Sequence, residues 1–133
     1  MIDCENEVYN MLATALRSEF PGIDVSSEPV NAPSAFPAAS IYMADNYTDQ
    51  NSMTSNTVET TSVMMFQVDV YSNKAQGRKA EAKKISYFIS DFLFAHNFIR
   101  TAMTPTPNLQ NSSIYRLTSR YRVTSDGKSF FRR

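Results

Sequence analysis

Between Thr57 and Leu93 the spacing of apolar positions changes once, and the change separates a strand from a helix. In the run TVETTSVMMFQVDVYS, Met64, Phe66, Val68 and Val70 recur at period two, interleaved with Glu59, Thr61, Val63, Met65, Gln67, Asp69 and Tyr71. That alternation predicts a strand with one face on a core and the other toward water. The run is long for a strand, so its first third is expected to belong to a projecting β-hairpin arm. After the polar break NKAQG (73–77), Ile85, Phe88, Ile89, Phe92 and Leu93 recur at i, i+3, i+4, i+7 and i+8. This is a helical stripe, with Arg78, Lys79, Lys83 and Lys84 on its first two turns. A strand feeding a helix that lies back over the same sheet face is the expected core.

The remaining chain reads around that unit. Asp3 to Phe20 predicts a first helix with an apolar stripe at Val8, Met11, Leu12, Ala15 and Leu16. Asp3 is placed to act as N-cap, and acids crowd the first turn, where the helix dipole favours them. Phe20-Pro21-Gly22 ends it. Ile23–Val25 reads as a short strand, and three prolines (Pro29, Pro33, Pro37) keep the next loop extended. Ala38–Ala44 returns to strand character. Asp45–Asn56 has no apolar period and reads as the tip of a hairpin, long enough to suggest function or mobility. A short strand is expected over Phe98–Met103, a turn-rich connection at Thr104–Asn111, and a last strand over Ser113–Thr124. There Tyr115, Leu117, Tyr121 and Val123 share one face, and Arg116, Thr118, Arg120 and Arg122 the other. The order α-β-β-β-α-β-β predicts a single α+β domain over 1–133: a mainly antiparallel sheet, one helix packed on it, an N-terminal helix, and an arm at about 45–60.

Composition narrows the function classes. A chain of 133 residues with 42% hydrophobic and 20% charged residues is an ordinary globule able to bury roughly two-thirds of its unfolded surface. Three glycines leave little room for a phosphate-cradling loop. No apolar run approaches the roughly 20 residues that span a bilayer, so no membrane association is expected. Asp3, Glu5 and Glu7 stand where a signal peptide needs positive charge, so the chain is expected to stay where it is made. The net charge is zero, yet through Phe66 there are nine acids and one base, and from Gln67 onward four acids and twelve bases. Such a split suits a basic surface for nucleic acid, or complementary faces that pair between copies of the chain. It is equally compatible with local neutralisation, if the two halves interleave.

Catalysis is hard to assemble from these residues. Cys4 is the one cysteine and His96 the one histidine, and neither sits in a local nucleophile or metal signature. Asp45 and Asp49 are close enough in sequence to touch one cation, but the spacing and glycine of a calcium loop are missing. No enzymatic activity, cofactor or metal is expected. Two features point to binding instead. Arg116, Arg120 and Arg122 form a charged row at strand spacing, fit for phosphates, for a partner's carboxylates, or for local pairs with Glu59 and Asp69. Exposed Met and Phe beside arginine have the composition of a protein–protein interface. The candidate interface residues are Asp45, Tyr47, Asp49, Met53 and Glu59 on the arm, Arg78, Lys79 and Lys83 on the helix, and Phe130 and Phe131 at the end.

The segments Phe36-Pro37-Ala38-Ala39-Ser40-Ile41-Tyr42, Phe66-Gln67-Val68-Asp69-Val70-Tyr71-Ser72-Asn73, Arg78-Lys79-Ala80-Glu81-Ala82-Lys83-Lys84-Ile85, Ile114-Tyr115-Arg116 and Ser119-Arg120-Tyr121 together carry a resemblance. The chain resembles the tail completion or tail terminator proteins of long-tailed bacteriophages and prophages, also labelled minor capsid or neck proteins. The resemblance implies a structural virion protein, assembled in the host bacterial cytoplasm and located in the tail or neck. It implies a ring, typically hexameric, that caps the tail tube, stops its polymerisation and forms the head–tail joining surface. Expected partners are copies of itself, the tail tube protein, head–neck connector proteins, and DNA in transient, sequence-blind passage, with Arg116, Arg120 and Arg122 facing the lumen. Two alternatives stay open: a head-side neck adaptor or stopper, and a small nucleic-acid-binding regulator.

Overall fold

The structure, a computed structural model, describes residues 2–28, 33–48, 61–107 and 113–131. In chain order it forms α1 (Glu5–Glu19), β1 (Asp24–Ser26), β2 (Ala38–Thr48), β3 (Ser62–Ser72), α2 (Arg78–Ala95), β4 (Ile99–Thr106), β5 (Tyr115–Ser125) and β6 (Phe130–Phe131). The architecture is α+β, and its elements follow the predicted order with one short strand added at the end. The sheet runs β1-β2-β3-β5-β4, with β6 pairing β5 beyond the end of β4. Every pairing is antiparallel except β1 with β2.

Both helices lie on one face of this sheet, α1 against β2 and α2 over β3, β5 and β4. The helical stripe Val8, Leu12 and Leu16 meets Ala82, Ile85, Ile89 and Leu93 over Ile41, Met64, Phe66, Val68, Val70, Leu117 and Val123. The period-two and period-3.6 patterns therefore converge on one core. Each fully buried aliphatic side chain contributes roughly 1.5–3 kcal/mol relative to exposure.

The helix ends are set by local chemistry. Cys4, not Asp3, occupies the cap position of α1; the Asp3 carboxylate accepts the Glu5 N–H at 3.0 Å. At the far end of α2, Asn97 takes a left-handed φ of 74°. Its N–H reaches the Phe94 carbonyl and that of Phe98 reaches Leu93, the paired bonds of a Schellman motif. The Asn97 amide also donates to the Phe130 carbonyl at 2.9 Å, which fixes β6 to the helix end.

Three strands depart from expectation, the simplest being β4, which runs on through Thr106 into residues read as a turn-rich connection; the other two are β2 and β3. β2 continues through Thr48 instead of ending at Ala44, pairing with β3 back to Ser62. A bulge between Met43 and Asp45 makes this possible. Without the extra residue, Asp45 would follow Ala39, Ile41 and Met43 onto the helix-covered face; with it, Asp45 turns outward and Asn46 inward. The bulge is held from α1, where Glu5 Oε2 accepts the Met43 N–H at 2.6 Å. Asn46 donates to the Ile2 carbonyl at 2.7 Å and accepts from the Ser62 hydroxyl. Polar residues hold this stretch in the sheet, so no apolar period announces it.

The last departure is β3, which is buried on both faces from Phe66 to Ser72. It is the central strand, flanked by β2 and β5. On the face away from the helices, Tyr71 packs with Ala38, Ile114 and Phe36 in a second small cluster, and neighbouring side chains fold over the polar positions between.

Candidate interaction surface

The face of the sheet away from the helices carries the most organised polar chemistry. Register places Ser40, Asp69 and Thr118 side by side, with Tyr42, Gln67 and Arg120 one step along and Ala38, Tyr71 and Arg116 one step back. Asp69 is fully buried and gathers donors. Arg116 Nε lies 3.1 Å from Oδ1, Thr118 Oγ1 2.5 Å from the same oxygen, and Gln67 Nε2 3.2 Å from Oδ2. A carboxylate only accepts, so the Thr118 hydroxyl donates to it and accepts from Thr106, whose Oγ1 is 2.7 Å away. The Arg116 guanidinium also stands 5.6 Å above the Tyr71 ring, within cation–π range.

Electrostatics follow from this packing. Burial works against the Arg116 charge, but the Asp69 carboxylate outweighs it and holds the guanidinium above its ordinary range. Burial raises the Tyr42 and Tyr71 hydroxyls, and the negative charge of Asp69 adds to it. The arginine row is thus divided. Arg116 is half-buried and paired with Asp69, one of the two local partners weighed from the sequence. Arg120 is exposed and Arg122 half-exposed on the same face, and neither has an ion pair among the described residues. The other suggested partner, Glu59, lies outside the described residues with Asp49 and Met53.

The remaining candidates separate in the same way. Asp45 is exposed at the bulge and Tyr47 is 48% exposed, both near the end of β2 on the outer face; 49–60, the rest of the expected arm, lies outside the described residues. On α2, Lys79 is exposed and Arg78 and Lys83 are half-exposed. Phe130 packs against the core with its ring 5.4 Å from that of Phe98, so it serves the fold more than an open surface. Phe131 is half-buried opposite Thr124. The sequence missed the burial of Asp69, because alternation marked it as a solvent position. The Asp69–Arg116 match across two long strands was the one available signal.

Charge is sorted laterally. Among the described residues, Glu5, Glu7 and Glu19 on α1, Asp24 on β1 and Asp45 on β2 lie toward one side of the sheet, and Arg78, Lys79, Lys83 and Lys84 on α2, Arg100 on β4 and Arg116, Arg120 and Arg122 on β5 toward the other. Among the described residues, the ion pair found is Arg116–Asp69, and both its members come from the basic half. Among the described residues, no ion pair joins the acidic half to the basic half.

The candidate reactive groups have structural employment. Burial raises the Cys4 thiol, whose Sγ is 3.6 Å from Ser125 Oγ. His96 Nδ1 donates to the Phe92 carbonyl at 2.8 Å and its ring lies 4.4 Å from that of Phe92. Among the described residues, no group of three or more His, Cys, Asp or Glu is arranged to hold a metal ion. No described helix is long and apolar enough to cross a membrane. Two recesses open beside α2. One of about 350 Å³ lies where its first turns face Phe20 and Pro37; one of about 300 Å³ lies between its first half and the β4 edge. Compared with known proteins, the chain matches no protein-family model and no curated protein.

Proposed function

We propose that the chain is a non-enzymatic structural subunit that associates head-to-tail into a closed ring and caps a phage tail tube. The observation that carries this reading is the lateral sorting of charge, with an acidic flank at α1, β1 and β2 and a basic flank at α2, β4 and β5. Unlike flanks on one subunit favour heterologous contacts, and a heterologous contact with the right rotation closes into a ring. The resemblance to tail completion and terminator proteins gives that ring its role: ending tube growth and offering the head–tail joining surface, in the tail or neck of the virion. Its partners in this reading are further copies of the chain, the tail tube protein and the head–neck connector. Arg120 and Arg122 supply sequence-blind contacts to passing DNA. A head-side neck adaptor is the rival reading. Copurification from an infected or induced host separates the two: tail tube protein bound to the tagged chain supports the tail-side role, whereas recovery with portal and adaptor alone overturns it.

A further inference from the structure

The recess between α2 and the edge strand β4 has a character that the fold itself does not use. Lys79, Lys83 and Tyr87 line it from α2, and Met103, Pro105 and Tyr115 from the sheet side. Tyr87 is 51% exposed, and β4 is a sheet edge whose outer side pairs with no described strand. A recess of about 300 Å³ that sets apolar side chains beside two lysines suits an aromatic anchor flanked by acid. The far end of β2 offers that combination. Tyr47 is an exposed aromatic, and Asp45 lies two positions before it on the same face.

Within one chain the two cannot meet. Tyr47 pairs with Val63 near the start of β3, whereas Leu117, which also lines the recess, pairs with Val70 near its end. At about 3.4 Å per residue, these levels are some 24 Å apart along the strand. They also lie on opposite faces of the sheet, because Tyr47 points away from the helices and the recess lies beneath α2.

We infer that Tyr47 and Asp45 of one copy dock into the Lys79–Lys83–Tyr87 recess of the next copy, forming the head-to-tail contact between subunits. This rests on reading the chain as a self-associating subunit, and it names the residues of the contact. Tyr47 packs against the apolar side chains, and Asp45 meets the two lysines. Because anchor and recess sit at opposite ends of the sheet, each copy keeps one free anchor and one free recess until the assembly closes.

Light scattering across a concentration series tests this with three variants: Tyr47→Ala, Asp45→Lys, and the double substitution Lys79→Glu with Lys83→Glu. All four positions are surface sites, and circular dichroism with thermal melting checks that each variant folds. The expected result is association weakened about thirtyfold in each variant, as for the loss of an interface anchor. A one-to-one mixture of the Asp45→Lys chain and the Lys79→Glu, Lys83→Glu chain should regain assembly that neither shows alone, since both kinds of contact in the mixture are then complementary. Folded variants that assemble like the parent overturn the docking contact while leaving a ring built through other residues. A parent chain that stays monomeric up to about 1 mM, the weakest association such a series reads, overturns it as well; capping of tail tubes would then be decided by its own assay.

Discussion

Replacing Asp69 by alanine removes the acceptor shared by Arg116, Thr118 and Gln67. A hydrogen bond from a charged donor contributes roughly 1.5–3 kcal/mol, and stranding one partner of a buried pair costs roughly 3–5 kcal/mol. The Arg116 side chain is 19% exposed, so water recovers part of that loss, and about 3 kcal/mol is the expected destabilisation. At an unfolding entropy of about 2.1 cal/mol/K per residue, that lowers Tm by about 11 °C for a chain of 133 residues. The reverse deletion, Arg116→Met, should cost at least as much, because it leaves a carboxylate with 0% exposure without its counter-ion. Replacing both residues by apolar ones should recover part of the loss. Urea denaturation of the four species of this cycle measures the coupling, expected at about 2 kcal/mol. If Asp69→Ala cost under about 1 kcal/mol, or the two substitutions simply added, the account of this network would be wrong.

Three further outcomes follow from particular contacts. Burial and the Asp69 charge raise the Tyr71 hydroxyl, so the fold favours its neutral form. The associated stability is complete below the ordinary tyrosine pKa of about 10 and declines as pH rises through the raised value. Tyr71→Phe should flatten that decline in melts between about pH 9 and 11, and an unchanged slope would refute it. Arg120→Glu with Arg122→Glu should leave Tm within about 1 °C while weakening the salt-dependent retention of duplex DNA; Arg116→Glu, which sets two carboxylates together, should melt far lower. Equal melting of the two variants would contradict the division of the arginine row. Glu5→Ala strands the Met43 N–H at the bulge and should cost about 1–2 kcal/mol by urea denaturation; no change would mean that the bulge needs no support from α1.

The core was legible because it obeys simple periods. Met64, Phe66, Val68 and Val70 at period two, with Ile85, Ile89 and Leu93 at helical spacing, named both the buried sheet face and the helix that covers it. What stayed hidden depends on neighbours that the sequence does not order. Asp69 alternates as a solvent residue, and only the arrival of Arg116 and Thr118 on β5 makes its burial tolerable. Asp45–Thr48 looks like loop because a bulge and side-chain bonds from α1 replace apolar packing there. The charge split was visible as a count. Its meaning required the strand order, which sets the acidic β1 and β2 across β3 from the basic β5 and β4.

The central claim is that this chain ends a tail tube. Negative-stain electron microscopy of tail tubes polymerising from purified tube protein, with and without the chain, tests it most directly. The account predicts tubes of arrested length bearing a ring at one end, the ring's mass corresponding to about six copies of a 15.0 kDa chain. Tubes that keep growing with bare ends, while the chain stays in the supernatant, would contradict it.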